Sequence, residues 1–456
     1  MQISVIGCGY LGAVHAACMA ELGHDVVGID VDAAKVASLS RGVAPFHEPG
    51  FDELLARNVA SGRLRFSTDF ADLAHAQVHF IGVGTPQVQG GYAADLTYVN
   101  SAIASLVPHL NHHVDGPTLV VGKSTVPVGT AAQIAETLAP TGALLVWNPE
   151  FLREGFAVQD TISPDRIVYG LPKDPEQAGT AQGVLDDVYK QLIAAEIPRL
   201  TTDYATAELV KVAANSFLAT KISFINAMAE VSDATGADVV GLADILGDDT
   251  RIGRRFLDAG IGFGGGCLPK DIRAFSARAT EVGAPSVAAL LAEVDAINLR
   301  MRQRVVDLAT ELCGGSVQGR RVAVLGASFK PLSDDVRDSP ALSIACELHL
   351  LGAELRVYDP QANNNARKVL PALRYVASAD AALSGADLVL HLTDWPEFSQ
   401  IDPPHAGSLV RTKRIIDGRN KLDPERWRQA GWTFHGVGRG TRPVHVPSGD
   451  LVPLGA

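Results

Sequence analysis

The 456-residue sequence has few cysteines, few aromatic residues and fewer basic than acidic side chains. Its five cysteines, at positions 8, 18, 267, 313 and 346, are odd in number and scattered. They predict no disulfide framework and favour a reducing, cytoplasmic setting. With 39 Lys and Arg against 51 Asp and Glu, the net charge is −12 at pH 7. We therefore expect no nucleic-acid partner, because sequence-independent binding to nucleic acid needs a basic surface.

The sequence also lacks the patterns of a secretory leader and of a membrane span. Neither Lys nor Arg precedes the first apolar run, so the basic region of a leader is missing. Glu21, His24 and Asp25 end that run. We expect no membrane partner. The hydrophobic content of 47% is that of a globular protein, and the length predicts roughly three domains at about 150 residues each.

Short apolar runs that end at glycine or polar residues predict the strands of two parallel sheets. The first set occupies residues 2–6, 26–29, 78–83, 118–122, 143–147 and 166–170, and the second set occupies residues 321–326, 354–360, 387–393 and 413–420. Helix-compatible segments lie between most of these runs, as in a doubly wound α/β fold.

The region between the two sets is helical in texture. Residues 203–236 contain no proline, and no glycine before Gly236, so they predict one long helix. A second helix-compatible segment covers residues 285–312, after a glycine-rich stretch at 260–266. We place three domains at residues 1–200, 201–312 and 313–456.

The turn after the first strand matches the pattern G-x-G-x-x-G. Gly7 permits a tight turn, Gly9 lets the backbone approach a pyrophosphate, and Gly12 lets helix and strand pack closely. Asp30 ends the second strand, 18 residues after Gly12. A carboxylate there accepts hydrogen bonds from ribose hydroxyls and repels a 2′-phosphate, so the pattern predicts NAD. A structural glycine turn beside a solvated aspartate is the alternative.

The stretch GIGFGGGCLPKDIRAF, residues 260–275, sets Cys267 behind several glycines and ahead of a helix. A helix N-terminus and the ammonium of Lys270 favour a nucleophilic thiolate at this position. The other four cysteines are expected to be small buried residues. No second Cys or His stands at ligand spacing, so we expect no metal site.

Two further groups are ambiguous on their own. Lys211 and Asn215 are four residues apart and share one face of the long helix, where a cation and an amide can bind an oxyanion. Glu150 and Glu154 follow a strand end. Solvated surface side chains are the alternative for both pairs.

The motifs together resemble those of the UDP-glucose/GDP-mannose dehydrogenase family. In order, they are GCGYLG, FHEPGFDELL, VGTPQ, KSTVPVGT, NPEFLREG, the Lys211–Asn215 helix, RIGRRFLDAGIGFGGGCLPKD, FKPLSDDVRDSP and DGRN. The resemblance implies two Rossmann-like doubly wound domains joined by a long central helix and a small all-α domain. It implies oxidation of a sugar C6 alcohol to a carboxylate, with NAD as the oxidant.

The resemblance also implies residue roles. Cys267 would hold the aldehyde as a thiohemiacetal and then a thioester, and the other catalytic residues would be Lys211, Asn215, Asp271, Glu150 and Thr125. The cofactor residues would be Gly7, Gly9, Tyr10, Leu11, Gly12, Asp30, Lys35, Thr85, Ser124, Thr125, Glu154 and Arg337. The substrate residues would be Phe151, Leu152, Arg153, Glu154, Lys211, Asn215, Arg251, Phe263, Gly264, Lys330 and Arg419. Arg251 would reach the site of a neighbouring subunit, so the resemblance implies a homodimer or a larger homo-oligomer.

Three alternatives stay open. The first is GDP-mannose as the substrate, because enzymes of that branch also carry the CLPKD motif. The segment RIGRRFLDAGIGFGG is, however, closer to the UDP-glucose branch. A β-hydroxyacid dehydrogenase uses a lysine and no thiol, and a non-catalytic NAD sensor needs neither. The sequence departs from the family pattern at Gly266, where a serine is usual, and at Pro331, where some members have a second lysine.

Overall fold

The computed structural model describes residues 1–110 and 117–440. They form two compact units that share two long helices. The first unit contains Met1–Phe217, Gly266–Ala292 and Leu332–Asp334. The second contains Leu218–Gly265, Glu293–Pro331 and the described residues from Asp335 onward.

The first unit is built on an eight-stranded sheet in the order β3-β2-β1-β4-β5-β6-β7-β8. Its strands are β1 (Gln2–Ile6), β2 (Asp25–Ile29), β3 (Leu64–Ser67), β4 (Val78–Ile81), β5 (Leu119–Gly122), β6 (Leu144–Trp147), β7 (Ile167–Leu171) and β8 (Arg199–Asp203). The central strands are buried on both faces, which is why they read as continuous apolar runs in the sequence.

Helices cover both faces of this sheet, with one apolar cluster on each side. They are α1 (Tyr10–Glu21), α2 (Ala33–Ser40), α3 (Phe51–Ala60), α4 (Thr97–Leu106), α5 (Thr130–Leu138), α6 (Ala157–Ile162), α7 (Pro175–Val188) and α8 (Lys190–Ala194). Asp32 and Asp174 accept hydrogen bonds from the first N–H groups of α2 and α7 and so define where those helices begin.

The middle of the chain is helical. Its helices are α9 (Tyr204–Thr235), α10 (Val239–Asp248), α11 (Leu268–Glu281) and α12 (Pro285–Leu312). The uninterrupted α9 follows from the absence of helix-breaking residues that the sequence shows. Both α9 and α12 begin in the first unit and continue into the second.

The second unit contains a six-stranded parallel sheet in the order β11-β10-β9-β12-β13-β14. Its strands are β9 (Arg321–Leu325), β10 (Glu354–Tyr358), β11 (Arg374–Tyr375), β12 (Leu388–His391), β13 (Arg414–Asp417) and β14 (Thr433–Gly436). Its helices are α13 (Pro340–Leu350), α14 (Asn363–Val369), α15 (Ala379–Leu383), α16 (Pro396–Ser399), α17 (Pro403–Leu409) and α18 (Pro424–Gln429).

The α/β class, the two doubly wound sheets and the helical middle region predicted from the sequence are confirmed. The first sheet differs in one respect, since β7 pairs with β6 in the antiparallel direction. The chain between these strands holds only the short helix α6, rather than the long crossover helix typical of a parallel connection. Strands β3, β8, β11 and β14 were missed, because they are short edge or near-edge strands without a fully apolar run.

Within the described residues, no helix combines the length and the apolar character that a membrane crossing requires.

The two sheets use an aspartate differently at matching positions. Asp30 follows β2 in the first sheet and Asp359 follows β10 in the second, and each of these strands lies beside the first strand of its own sheet. Asp359 is buried and accepts hydrogen bonds from five backbone or indole N–H groups, those of Ala327, Ser328, Gln361, Ala362 and Trp395. The hydrogen-bond acceptor capacity of the Asp359 carboxylate is therefore used within the protein.

The variant Asp359→Ala is expected to lose about 3 kcal/mol or more of unfolding free energy, because it leaves several buried N–H donors without an acceptor. Urea denaturation followed by circular dichroism measures the loss. Asp307→Ala removes an exposed carboxylate on α12 and should stay within about 0.5 kcal/mol of the parent. Equal midpoints for the two variants would contradict the assigned role of Asp359.

Candidate active site

The turn between β1 and α1 is shaped for the close approach of a ligand. Gly7 has φ of +90°, and a Cβ at Gly12 would lie 1.9 Å from the carbonyl oxygen of Gly7. A Cβ at Gly9 would meet no atom within 4 Å, so the surface above Gly9 is open. Tyr10 and Leu11 begin α1 at this point. The free N–H groups and the positive end of the helix dipole favour a pyrophosphate here.

Asp30 completes this part of the site. Its Oδ1 accepts the N–H of Asp32 at 3.0 Å, and its Oδ2 lies 2.9 Å from Nζ of Lys35. Both sequence-predicted ribose residues, Asp30 and Lys35, are thus brought together at the end of β2. The open glycine turn and this carboxylate fit a dinucleotide.

Tyr10 is also tied to a residue that the sequence analysis did not select. Its hydroxyl donates a hydrogen bond to the buried carboxylate of Glu48. Glu48 also accepts the N–H groups of Gly155 at 2.6 Å and Ala157 at 2.7 Å. Burial and the bond to Glu48 raise the pKa of Tyr10. Glu48 therefore fixes the end of the loop that follows β6.

The loops after β4 and β5 are joined by side chains predicted to hold the cofactor. The hydroxyl of Thr85 donates to the carbonyl oxygen of Thr125 at 2.7 Å. The hydroxyl of Ser124 donates to the carbonyl oxygen of Val83 at 2.7 Å. Thr85 and Ser124 are buried, so these bonds set the shape of the crevice edge at the carboxyl ends of the strands.

Lys123 precedes these residues and supports the loop after β6. Its Nζ donates to Oδ1 of Asn148 at 3.0 Å, and Nδ2 of Asn148 donates to the carbonyl oxygen of Val168 at 2.8 Å. Desolvation lowers the pKa of Lys123 to about 8, although Glu150 opposes the shift. Lys123 and Asn148 hold the loop where it leaves the strand.

Glu150 and Lys211 form an ion pair within this loop region. Oε1 of Glu150 lies 3.0 Å from Nζ of Lys211, and its Oε2 accepts the N–H of Leu152 at 2.8 Å. The Lys211 ammonium lies 5.7 Å from the ring centroid of Phe151. Burial lowers the pKa of Lys211, but Glu150, Cys267 and Asp271 raise it, and the net shift is upward. Lys211 is therefore a buried ammonium group.

The remaining residues of the loop are also engaged. Glu154 is buried, and the hydroxyl of Ser333 donates to it at 3.2 Å. Nε and Nη2 of Arg153 lie 2.8 and 2.7 Å from the carboxylate oxygens of Asp160. Arg153 is therefore bonded to α6, the helix that follows the loop.

Asp271, in the first turn of α11, joins the site to α9. Its Oδ2 accepts Nδ2 of Asn215 at 2.7 Å, and its Oδ1 lies 2.7 Å from Nζ of Lys270. Lys270 also donates to the hydroxyl of Thr85 at 3.3 Å. Asn215 and Asp271 are both buried. The ammonium of Lys270 is thus bound to Asp271.

Cys267 caps the N-terminus of α11, as the sequence predicts, and the residue is exposed. Desolvation, and after it Asp271 and Glu150, raise the pKa of its thiol to about 12, whereas Lys211 lowers it. The thiolate favoured by Lys270 and the helix end stays a prediction, and in the structure the carboxylates of Asp271 and Glu150 act against it.

Among the other cysteines, Cys8, Cys18 and Cys313 are buried as expected, and Cys346 is half-buried. Residues 1–110 and 117–440 contain no group of three or more His, Cys, Asp or Glu side chains arranged to hold a metal ion.

A small cavity adjoins the catalytic candidates. It has a volume of about 20 Å³ and is lined in part by Thr125, Val212, Lys270 and Asp271. One water molecule needs about 10–15 Å³ and several polar partners. The cavity therefore has room for a single water beside Asp271.

The second unit holds the other predicted substrate residues. Arg419 donates three hydrogen bonds to carbonyl oxygens, at 2.7 Å to Leu392, 3.0 Å to Gly262 and 3.1 Å to Phe329. Nζ of Lys330 lies 5.6 Å from the Phe329 ring centroid. Arg419 therefore bonds to the residues that directly precede Phe263 and Lys330, and also to Leu392.

Two predicted residues of the second unit pair with nearby carboxylates. Nη2 of Arg337 lies 2.7 Å from Oδ2 of Asp335, and Nη2 of Arg251 lies 2.6 Å from Oδ2 of Asp249. Arg251 is 87% exposed. Gly264 packs against the backbone of Asp338, where a Cβ would lie 2.3 Å from the carbonyl oxygen.

The first unit thus gathers the predicted catalytic residues around Lys211 and Asp271, and the second unit gathers Phe263, Gly264 and Arg419. Sequence reasoning missed the supporting residues, which are Glu48, Lys123, Asn148 and Ser333. Glu48 lies in the motif FHEPGFDELL and Lys123 in KSTVPVGT, so membership of a motif was the only available signal.

Comparison with known proteins identifies the class. Three models of the UDP-glucose/GDP-mannose dehydrogenase family match the chain: the NAD binding domain over residues 1–193, the central domain over 205–300 and the UDP binding domain over 323–424. The chain belongs to the UDP-glucose/GDP-mannose dehydrogenase family.

Individual relatives span nearly the whole chain. UDP-glucose 6-dehydrogenase TuaD of Bacillus subtilis is 41% identical over 453 residues, covering 97% of this chain and 95% of that protein. The structure of a UDP-glucose dehydrogenase from Pyrobaculum islandicum has a TM-score of 0.86 at 38% identity, covering 96% of this chain and 97% of that one. A GDP-mannose dehydrogenase from Pseudomonas aeruginosa has a TM-score of 0.52 at 27% identity, covering 96% and 100%.

The raised pKa of Cys267 predicts slow alkylation at neutral pH. The rate of reaction with iodoacetamide should keep rising above about pH 10, where an ordinary thiol is almost fully ionised, because the thiolate fraction is still small. Asp271→Asn removes a carboxylate that raises this pKa and should increase the rate at pH 8. Mass spectrometry of the peptide that contains Cys267 follows the reaction, with Cys267→Ser as the blank. A rate that is already level at pH 8 in the parent protein would refute the raised pKa.

Proposed function

We propose that this chain oxidises the C6 alcohol of UDP-glucose to the carboxylate, giving UDP-glucuronate through a covalent intermediate on Cys267. The observation that carries the proposal is Cys267 at the N-terminus of α11, with electrostatic contributions from Lys211, Asp271 and Glu150 at its sulfur. Membership of the family and the relatives named UDP-glucose 6-dehydrogenase support it.

NAD, when bound, supplies the hydride acceptor for both oxidations. The residues that would hold it are Gly7, Gly9, Tyr10, Leu11, Gly12, Asp30, Lys35, Thr85, Ser124, Thr125, Glu154 and Arg337. The open surface at Gly9 accommodates the pyrophosphate, and the carboxylate of Asp30 accepts the ribose hydroxyls.

Cys267 keeps the half-oxidised sugar in place. Its sulfur bonds to C6 of the aldehyde while the thiol proton passes to the carbonyl oxygen, which gives a thiohemiacetal. Loss of a second hydride and of the hydroxyl proton converts this adduct to a thioester. A covalent bond at C6 prevents the aldehyde from leaving between the two oxidations.

Lys211, Asn215 and Asp271 act on the oxygen at C6. The ammonium of Lys211 and the amide of Asn215 stabilise negative charge that develops on this oxygen, in a site where few waters compete. The carboxylate of Asp271 holds Asn215 in place and can take up a proton.

Hydrolysis of the thioester requires one water. Oxygen of water attacks C6, the C–S bond breaks, and the sulfur takes back a proton. Glu150 would activate this water, with Thr125 in support. The cavity lined by Thr125 and Asp271 has room for one water, which supports the part assigned to Thr125.

The sugar nucleotide would contact Phe151, Leu152, Arg153, Glu154, Lys211, Asn215, Phe263, Gly264, Lys330 and Arg419, with Arg251 from a second subunit. We propose that residues 1–200 bind NAD, that residues 201–312 form the central dimerisation domain with the cysteine loop, and that residues 313–456 bind the UDP part.

UDP-glucose is favoured over GDP-mannose because the relatives named for UDP-glucose are more similar over the same coverage. A β-hydroxyacid dehydrogenase has no use for Cys267 or for a second sheet. The exposed thiol of Cys267 also fits a reducing, cytoplasmic compartment, which keeps it from being oxidised.

The purified protein is expected to form two NADH for each UDP-glucose consumed. Cys267→Ser should lower complete turnover by about 10³-fold or more while leaving NAD binding intact, because a hydroxyl in this setting captures the aldehyde poorly. Absorbance at 340 nm and chromatography of the products provide the measurement. One NADH per sugar, release of free aldehyde, or faster turnover of GDP-mannose would each reject the proposal.

We also propose a homodimer in which Arg251 completes the neighbouring site. Arg251 is largely exposed, and α9 leaves Phe224 and Val231 exposed seven residues apart. Such apolar residues, two helical turns apart on one face, favour packing against another chain.

Co-expression of Arg251→Ala with Cys267→Ser tests this arrangement. If Arg251 acts across the interface, random pairing should restore about a quarter of parental activity, because each mixed dimer contains one intact site. Co-expression of Lys211→Met with Cys267→Ser should restore nothing, since both residues belong to one chain's site. Activity of the first mixture no higher than that of the second would rule out a shared site.

A further inference from the structure

Within the second unit, the loop of residues 258–265 is held by polar side chains bonded to its backbone. The N–H of Gly260 donates to Oδ1 of the fully buried Asn226 at 2.9 Å. The N–H of Ile261 donates to the carbonyl oxygen of Gly418 at 2.9 Å, and Arg419 donates to the carbonyl oxygen of Gly262. These bonds fix the first half of the loop.

The second half of the loop depends on two residues of α12. Oδ1 of Asn298 accepts the N–H of Phe263 at 2.7 Å, and Nδ2 of Asn298 donates to the carbonyl oxygen of the same residue at 3.1 Å. Nη2 of Arg302 donates to that carbonyl oxygen at 3.2 Å. Asn298 and Arg302 are four residues apart and therefore share one helix face.

Asn298 binds Phe263 as a neighbouring β-strand would, since one amide satisfies both backbone groups of a single residue. Asn298 is fully buried, so neither bond competes with water. Gly262 has φ of +90°, and a Cβ there would lie 2.3 Å from Oδ1 of Asn298. The amide of Asn298 therefore packs directly against the loop and restricts the loop's conformation.

Arg302 extends this contact to the next segment of the unit. Its Nη1 lies 2.9 Å from Oδ1 of Asp338, and Gly264 packs against the backbone of Asp338. The guanidinium therefore binds Phe263 and Asp338 at once. Together, Asn298 and Arg302 set the position of the Phe263–Gly264 backbone.

We infer that Asn298 is a positioning residue for the sugar nucleotide, acting through the backbone of Phe263 and Gly264, with Arg302 in support. The inference rests on the proposed function, which makes this loop part of the substrate site. Its physical basis is pre-organisation, because a loop already fixed in the binding conformation loses little entropy when substrate binds. A loosened loop weakens sugar-nucleotide binding and leaves NAD binding unchanged.

Two variants test the inference. Asn298→Ala removes both bonds to Phe263, and the isosteric Asn298→Asp keeps the acceptor for its N–H but removes the donor to its carbonyl oxygen. We expect KM for UDP-glucose to rise about tenfold in Asn298→Ala and by a smaller factor in Asn298→Asp. KM for NAD should stay within about twofold. Gln303→Ala, an exposed position on the same helix, is the matched control and should leave both constants unchanged.

Hydrogen exchange of residues 258–265 provides a readout independent of activity. It should accelerate in both Asn298 variants and not in Gln303→Ala. Unchanged exchange, or faster exchange with an unaltered KM for UDP-glucose, would overturn the inference. Equal changes in both KM values would also overturn it, since they indicate general loss of structure. If the parent protein neither oxidises nor binds UDP-glucose, the proposed function fails instead, and exchange alone decides whether Asn298 holds the loop.

Discussion

The buried ammonium of Lys211 is the interaction on which the site in the first unit depends. It pairs with Glu150 on the loop after β6 and lies on α9, one turn before Asn215. A buried charge without a partner is costly, so the ion pair fixes the loop relative to the helix. The same charge opposes the carboxylates that raise the pKa of Cys267. The side chain of Lys211 therefore contributes both to the position of the loop after β6 and to the pKa of Cys267.

The neutral thiol at Cys267 fits the chemistry better than a permanent thiolate. Addition of a thiol to an aldehyde delivers a proton to the new hydroxyl group, so the adduct forms without net charge. The leaving sulfur of a thioester departs more easily when it can regain a proton. In the proposed mechanism, Asp271 and Glu150 would favour the protonated sulfur and so assist its departure during hydrolysis.

The two sheets show how one architecture serves different purposes. In the first, Asp30 follows β2 beside an open glycine turn and retains capacity to accept hydrogen bonds from a ligand. In the second, Asp359 occupies the matching position, but backbone N–H groups and the indole of Trp395 surround its carboxylate. The first arrangement leaves a carboxylate open to a ligand, which supports the proposed ribose contact, whereas the second stabilises its own loop.

Elements whose signal is local could be predicted from the amino-acid sequence. The apolar runs gave β1, β4, β5 and β6, the absence of helix breakers gave α9, and the glycine spacing gave the turn at Gly7. Residues within a motif, such as Cys267 and Asp271, could be selected because the resemblance covers nearly the whole chain. These features depend on neighbours along the chain, which a sequence displays directly.

Features that depend on distant neighbours became visible in the folded structure alone. The antiparallel pairing of β7 with β6, the ion pair of Lys211 with Glu150, and the opposing effects of Glu150 and Lys211 on the pKa of Cys267 all arise between residues far apart in the chain. The same holds for Glu48 and Asn298, whose buried side chains bond to backbone groups of other elements. These contacts could not be predicted from the sequence, because a buried polar group needs a hydrogen-bond partner and the fold decides which distant residue supplies it.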